Sequence, residues 1–182
     1  MRGPIPSTVF LDRDGVINRR RIADWVRSPE QLELLPGALE AIARLSRAGW
    51  RTVVVTNQSA VGRGLMTSED VDRVNAHLVA CVERAGGRLL GILVCPHAPT
   101  DGCACRKPGV ALFERAVTTW GIELSDAVMI GDAASDIEAA RRAGVGIALL
   151  IPDPVEGYPD DAPRPDGQFP SLADAVDWLL AG

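Results

Sequence analysis

The chain has 182 residues, 47% of them apolar and 4% aromatic, which fits one domain of ordinary size with an aliphatic core. A net charge of -5 argues against a broad basic nucleic-acid surface, and no apolar run approaches the ~20 residues that cross a bilayer. Residues 1–6 lack the apolar core of a secretory signal, so the cytoplasm is the expected compartment, where cysteines are thiols or metal ligands more often than disulfides.

Strand and helix signals alternate, the pattern of an α/β fold with a three-layer, Rossmann-like parallel sheet flanked by helices. Residues 8–11 are a short apolar run that reads as a buried strand. Pro36 and Gly37 open a helix through Leu39, Ile42, Ala43 and Leu45 that closes at Gly49, and 51–56 is a β-branched second strand. Thr67 or Ser68 caps the next helix, whose first turn is acidic. Its apolar positions Val71, Val74, Leu78 and Val82 recur at three- and four-residue spacing, and Gly86 and Gly87 end it. A third strand over 89–94 precedes a helix through Leu112, Phe113, Ala116, Val117 and Trp120 that stops at Gly121. A strand over 127–130, a short helix over 136–143 and a strand over 146–151 follow. Residues 152–170 contain six prolines and are expected to wrap the surface as an extended loop with no regular element. Ser171 with Asp174 resembles a capping box opening a last helix through Leu172, Val176, Leu179 and Leu180. There is no internal repeat, so 1–182 is expected to be a single domain.

The first strand ends on Asp12-Arg13-Asp14-Gly15. Two carboxylates at a buried strand end need a counter-charge, which a metal or a substrate usually meets. Gly15 lets the chain turn there and aim both acids at one point. Taken alone, the run also fits an ordinary acid-rich turn. In open α/β sheets, however, ligands sit beyond the carboxyl ends of the strands. There the second strand ends in Thr56-Asn57-Gln58-Ser59 and the fourth in Gly131-Asp132, while Lys107 follows the third.

A second cluster, Cys95-Pro96-His97 and Cys103-Ala104-Cys105, offers three thiolates and an imidazole. That is a tetrahedral zinc set with no position left open, so a structural ion is expected to hold the loop 95–105 and fix the adjacent Arg106 and Lys107. A disulfide or free thiols are the alternatives. Cys81 reads as packing and His77 as a solvated residue.

The order Asp12-Arg13-Asp14-Gly15-Val16, Thr56-Asn57, Lys107 and Gly131-Asp132-Ala133-Ala134-Ser135-Asp136 resembles the haloacid dehalogenase superfamily of phosphatases and phosphotransferases. The resemblance runs from Val9 to about Ile151. It implies Asp12 as nucleophile, forming an aspartyl-phosphate, and Asp14 as general acid and base. It implies Mg²⁺ on the Asp12 carboxylate, the Asp14 backbone carbonyl and Asp132, with Thr56, the Asn57 N–H and Lys107 on the phosphoryl oxygens. Asp136 would orient Lys107 or the loop, or simply place charge at a helix N-terminus.

With the zinc loop, Val16-Ile17-Asn18 and Gln58-Ser59, the chain resembles the capless, zinc-containing heptose bisphosphate phosphatases, whose sister group acts on histidinol phosphate. That resemblance implies a small phosphorylated metabolite, a sugar bisphosphate, as substrate, and makes Asn57, Gln58, Ser59, Arg106 and Ala133 candidate substrate contacts. One departure is Arg19-Arg20-Arg21, where such sequences carry an acid two residues after the Asn18 position. Arg20 either binds an anion or belongs to a solvated basic turn. The short connections leave no room for a cap domain, so specificity should come from loops near Arg20, Trp25, Arg63 and Arg106. No nucleic-acid or membrane partner is expected, and a monomer is the default. A catalytically silent phosphate-binding module is the rival class, but it would not need Asp14 beside Asp12.

Overall fold

The computed structural model describes residues 7–21, 24–154 and 157–181. The reading of residues 1–6 lies outside the described residues. Within them the strands β1 (Thr8–Leu11), β2 (Arg51–Asn57), β3 (Gly91–Cys95), β4 (Val128–Gly131), β5 (Ile147–Leu150) and β6 (Gly167–Gln168) form one sheet in the order β3-β2-β1-β4-β5-β6. Every pairing is parallel. The helices are α1 (Ala38–Arg47), α2 (Ser68–Arg84), α3 (Ala111–Trp120), α4 (Ala134–Ala143) and α5 (Leu172–Leu180). Short 3₁₀ turns at Pro29–Gln31, Pro99–Asp101 and Leu124–Asp126 had no clear signal in the sequence.

Alternation along the strands divides the core into two layers. Val9 and Leu11 of β1 join Val54, Ile130 and Leu149 on one face, packed with Ile42, Leu45, Leu78 and Val176. Phe10 points to the other face with Val53, Met129 and Leu150, against Phe113, Ala116, Ile137 and Ala140. Burial on both faces explains why β1 and β4 read as unbroken apolar runs.

Local chemistry sets the element ends. The Thr67 hydroxyl accepts the Asp70 N–H while Asp70 accepts the Thr67 N–H, a closed capping box opening α2. Ser171 accepts from Asp174 at the start of α5. The helix α4 begins two residues earlier than the sequence suggests, because Asp136 lies inside its first turn and reaches back to the N–H groups of Asp132 and Ala133. The expectation of an element-free 152–170 is corrected by β6. Residues 166–169 lie between Pro165 and Pro170 and keep their N–H groups. Asp166 and Phe169 donate to Ala148 and Leu150 along the free edge of β5.

Among the described residues, 12–37 is a tight turn and a 3₁₀ turn with no inserted domain; Asn18 bridges Asp14 and Leu34 within it. No helix among them is long and apolar enough to cross a membrane.

Candidate active site

The chain leaves β1 toward β2 and β3 on one side, then returns to β4, β5 and β6 on the other. This reversal opens a crevice beyond the carboxyl ends of β1, β2 and β4. A cavity of about 290 Å³ lies there. Asp12, Asp14, Lys107 and Asp132 line it, together with Asn57, Gln58, Arg106, Ala133 and Arg20. Arg21, Asp24 and Trp25 extend the lining toward solvent. Thr56 and Ser59 are buried and stand outside the lining. Arg63 also lies outside it, stacked over the Trp25 ring at 5.7 Å.

Lys107 is buried, and its three ammonium protons have three acceptors: Asp12 Oδ1 at 2.9 Å, Asp136 Oδ1 at 2.6 Å and the Val55 carbonyl at 2.7 Å. Burial opposes its charge, but Asp12 and Asp136 outweigh that and raise its pKa above the ordinary lysine value. Its backbone is clasped by the Asn57 amide, which accepts from Lys107 N at 3.1 Å and donates to Lys107 O at 3.2 Å. The sequence suggested a backbone N–H on the phosphoryl oxygens and a substrate contact for Asn57; an asparagine at a strand end gives no sign of a distant partner. Asp136 combines both readings offered for it. Its Oδ1 orients Lys107, and its Oδ2 accepts two N–H groups at the start of α4.

The carboxylates carry more negative charge than Lys107 balances. Burial, reinforced by Asp136 and Asp14, pushes Asp12 up to about 6 against the pull of Lys107. Burial followed by repulsion from Asp12 and Asp136 pushes Asp132 up to about 8. Asp132 Oδ2 is buried with no hydrogen-bond partner, and Arg20 Nη1 stands 3.7 Å away, too far for a hydrogen bond. Acidic oxygens of Asp12, Asp132 and Asp136 lie within 4.8 Å of one another. An all-oxygen, over-charged, under-bonded set of this kind fits a hard divalent cation. Asp136 already spends its oxygens on Lys107 and α4, which leaves Asp12 and Asp132 as the better donors. Gly15 packs so closely here that a Cβ would overlap the Asp132 carboxylate, and its φ of +93° independently favours glycine.

Asp14 is held differently. Asn18 Nδ2 donates to its Oδ1 at 2.9 Å and Gln58 Nε2 to its Oδ2 at 2.7 Å, while Arg13 Nη2 reaches both oxygens at 3.3 and 3.1 Å. Gln58 Nε2 also donates to the Thr56 hydroxyl at 2.9 Å. Arg13 and its partner Asn75 were not singled out in the sequence, where a lone arginine beside acids suggests a surface pair.

The four residues of the second cluster converge as well. Cys95 Sγ and Cys105 Sγ each lie 3.6 Å from Cys103 Sγ, and His97 Nδ1 lies 3.6 Å from Cys95 Sγ and 3.2 Å from Cys105 Sγ. A tetrahedron with Zn–S bonds near 2.3 Å has edges of about 3.8 Å, so the set fits zinc with little adjustment. All the cysteines are free, so the disulfide alternative is not formed. Burial, then hydrogen bonding from Cys105, pushes the Cys95 thiol up to about 12, and a cation would reverse that. The loop is tied to the crevice: Gln58 N donates to Cys95 O and Gly62 N to Pro96 O, each at 2.8 Å. A Cβ on Gly62 would overlap the Ala98 backbone. Arg106 follows the loop directly, with Nη1 buried and without a hydrogen-bond partner.

Residues 6–144 match the haloacid dehalogenase-like hydrolase family. The chain belongs to that family. It is 41% identical over 185 residues to the D-glycero-β-D-manno-heptose-1,7-bisphosphate 7-phosphatase of Pseudomonas aeruginosa, covering 96% of this chain and 98% of that one. It is 42% identical over 139 residues to the corresponding α-anomer phosphatase of Mycobacterium bovis, covering 74% of this chain and 71% of that one. The fold superimposes on the crystal structure of the D,D-heptose 1,7-bisphosphate phosphatase of Bordetella bronchiseptica, complexed with magnesium and phosphate. The TM-score is 0.87 at 32% identity, covering 96% of this chain and 98% of that chain.

Proposed function

We propose that this haloacid dehalogenase-like hydrolase removes the 7-phosphate of D-glycero-D-manno-heptose 1,7-bisphosphate. The observation that carries the reading is the crevice itself, where Asp12 meets Lys107 while Asp132 keeps a buried oxygen without a hydrogen-bond partner. Relatives covering almost the whole chain act on that sugar bisphosphate by name.

Asp12 attacks phosphorus, forming an aspartyl-phosphate as the bond to the sugar oxygen breaks. Asp14 gives its proton to that leaving oxygen and then takes one from the water that hydrolyses the phosphoenzyme. Lys107, kept charged and aimed by Asp136, draws charge from the phosphoryl oxygens. Thr56 accepts from Gln58 and therefore has its own hydroxyl proton to donate. Asp12, Asp132 and the Asp14 backbone carbonyl would hold Mg²⁺, which would supply further positive charge against the transferring group. Cys95, His97, Cys103 and Cys105 would hold zinc, which would fix the loop that presents Arg106 and Lys107.

Arg106 and Arg20 bind the second phosphate through charge-assisted hydrogen bonds, and Asn57, Gln58 and Ala133 shape the reacting end, with the buried Ser59 supporting it from outside the lining. Gln58 spends its amide N–H groups on Asp14 and Thr56, so its carbonyl oxygen is what it offers a sugar hydroxyl. In this reading residues 1–182 work as one cytoplasmic, monomeric domain.

Phosphate release from heptose 1,7-bisphosphate and from histidinol phosphate provides the test. The arginines favour the bisphosphate and repel the cationic amine, so kcat/KM should be higher for the sugar. Arg106→Ala should erase most of that preference. Equal or reversed preference in the wild type rejects the substrate assignment.

A further inference from the structure

We propose that Arg13, braced by Asn75, is a positioning residue for proton transfer: it fixes the orientation of the Asp14 carboxyl toward the leaving-group oxygen. This rests on the phosphatase reading above. Arg13 lies between the two acids of the strand-end turn, and its side chain is 0% exposed. A cation that cannot lose its proton is costly to bury unless its fork is paired. Here Nη1 donates to Asn75 Oδ1 at 3.0 Å and Nη2 to both Asp14 oxygens, while Nε is buried without a hydrogen-bond partner, so the two Nη contacts carry the pairing. Arg13 lies outside the cavity lining, so whatever it contributes to chemistry passes through Asp14.

Asn75 strengthens the case from the other side. It is buried in α2 beside Val71, Val74 and Leu78, an amide among apolar side chains. Arg13 is 62 residues away in the chain, so the bond ties the β1 turn to α2. The brace and the crevice-side donors are complementary. Asn18 and Gln58 each hold one Asp14 oxygen, and Arg13 Nη2 adds a charged donor shared by both, so three donors rather than two hold the carboxyl against rotation. Without Arg13, Asn18 and Gln58 still tether Asp14, one oxygen each, but with the charged, shared contact gone the carboxyl turns more easily about its bond to Cβ.

The leaving oxygen of a sugar phosphate is a poor leaving group without a proton. The Asp12–phosphorus bond forms, the phosphorus–oxygen bond breaks, and the Asp14 proton moves to the departing oxygen. With p-nitrophenyl phosphate the same bonds change, but the nitrophenolate carries the electron pair away unprotonated. A fault in Asp14 orientation therefore slows the first step with the sugar ester and spares it with the aryl ester. A general distortion of the crevice slows both.

The experiment compares Arg13→Met and Asn75→Leu with the wild type. It reads steady-state hydrolysis of heptose 1,7-bisphosphate and single-turnover nitrophenolate release with enzyme in excess. Misorienting a general acid forfeits part of the ~10²–10⁴-fold it contributes, so Arg13→Met should lose about 30- to 100-fold in kcat for the sugar. KM should stay within about threefold, because Arg13 touches no substrate. Nitrophenolate release should stay within about twofold. Asn75→Leu should show the same signature at about 5- to 10-fold, and it carries the test if Arg13→Met does not fold. An equal fall on both esters, or a fall on neither, overturns the brace. Failure of the underlying reading is visible in the wild type, which would then release nothing from either ester, and the brace would fall with it.

Discussion

The carboxylate crevice and the Cys/His loop are two candidate metal sites of opposite construction. In the first, Asp12 and Asp132 are delivered by rigid strand ends, their charge is poorly balanced, and one buried oxygen has no hydrogen bond. In the second, four soft donors close on one another within a loop carried by turns and prolines. The crevice keeps its shape from the sheet and gains charge balance from an ion. The loop packs on the core mainly through Cys95, Cys103 and Cys105, the same side chains that would hold an ion, and would gain its shape from one. A cation should therefore matter to chemistry in the crevice and to folding in the loop.

The strongest way to break that contrast is to neutralise the crevice. Asp12→Asn should cut turnover by about four orders of magnitude or more, since it removes the attacking oxygen. Asp132→Asn removes a buried acid that is costly to ionise and whose Oδ2 has no hydrogen bond. Melting of the metal-free protein should then move upward by ~2–4 °C, about 1 kcal/mol in a chain of this length. The wild type should gain stability from added Mg²⁺, and Asp132→Asn should gain much less. A metal-free Asp132→Asn protein that melts below the wild type would show that the carboxylate is not strained there.

The loop should respond in the opposite sense. Elemental analysis after exhaustive dialysis should find about one zinc per chain, distinct from exchangeable Mg²⁺. Cys103→Ser should lower the melting temperature by ~5–10 °C, the equivalent of a few kcal/mol. Activity should fall indirectly, by about tenfold, as Arg106 and Lys107 lose their anchor. Unchanged melting with no bound zinc would leave the loop's shape to its backbone contacts alone.

Much of this contrast was legible in the sequence because its residues sit at element ends in chain order. Asp12, Thr56 and Asp132 close strands whose apolar runs mark themselves, and Cys95, His97, Cys103 and Cys105 share one short loop. What stayed hidden depends on distance along the chain. Nothing local says that the Asn57 amide clasps Lys107, 50 residues on, or that Asn75 receives Arg13. Both residues belong to elements whose existence was clear, but their partners are chosen by sheet order and helix packing. The edge strand β6 was missed for a related reason. Six prolines over 152–170 announce a loop, and the four proline-free positions 166–169 acquire an edge to pair with only once β5 is in place.

That edge provides a third way of pinning a loop, with a carboxylate and no metal, and the smallest expected effect. Asp166 Oδ2 accepts the Ala148 N–H at 2.7 Å, and Oδ1 pairs with Arg141 at 2.8 Å. The Arg141 contact leads in holding its pKa below the ordinary aspartate value; burial works against it, and the Ala148 N–H adds to the lowering. A depressed folded-state pKa means that the unfolded chain takes up the proton first. The stabilisation is thus complete above the unfolded value of about 3.9 and is lost as pH falls through the lower folded value. The Asp166 side chain is 39% exposed, so solvent screening keeps the contribution to at most about 1 kcal/mol. Asp166→Asn should therefore melt below the wild type by ~1–3 °C at pH 7, and the gap should narrow as pH falls below about 4. High salt should shrink the gap at pH 7, because the Arg141 pair is open to water. A gap that stays constant from pH 7 to pH 3 would mean that the side-chain geometry, not its charge, holds β6 to the sheet.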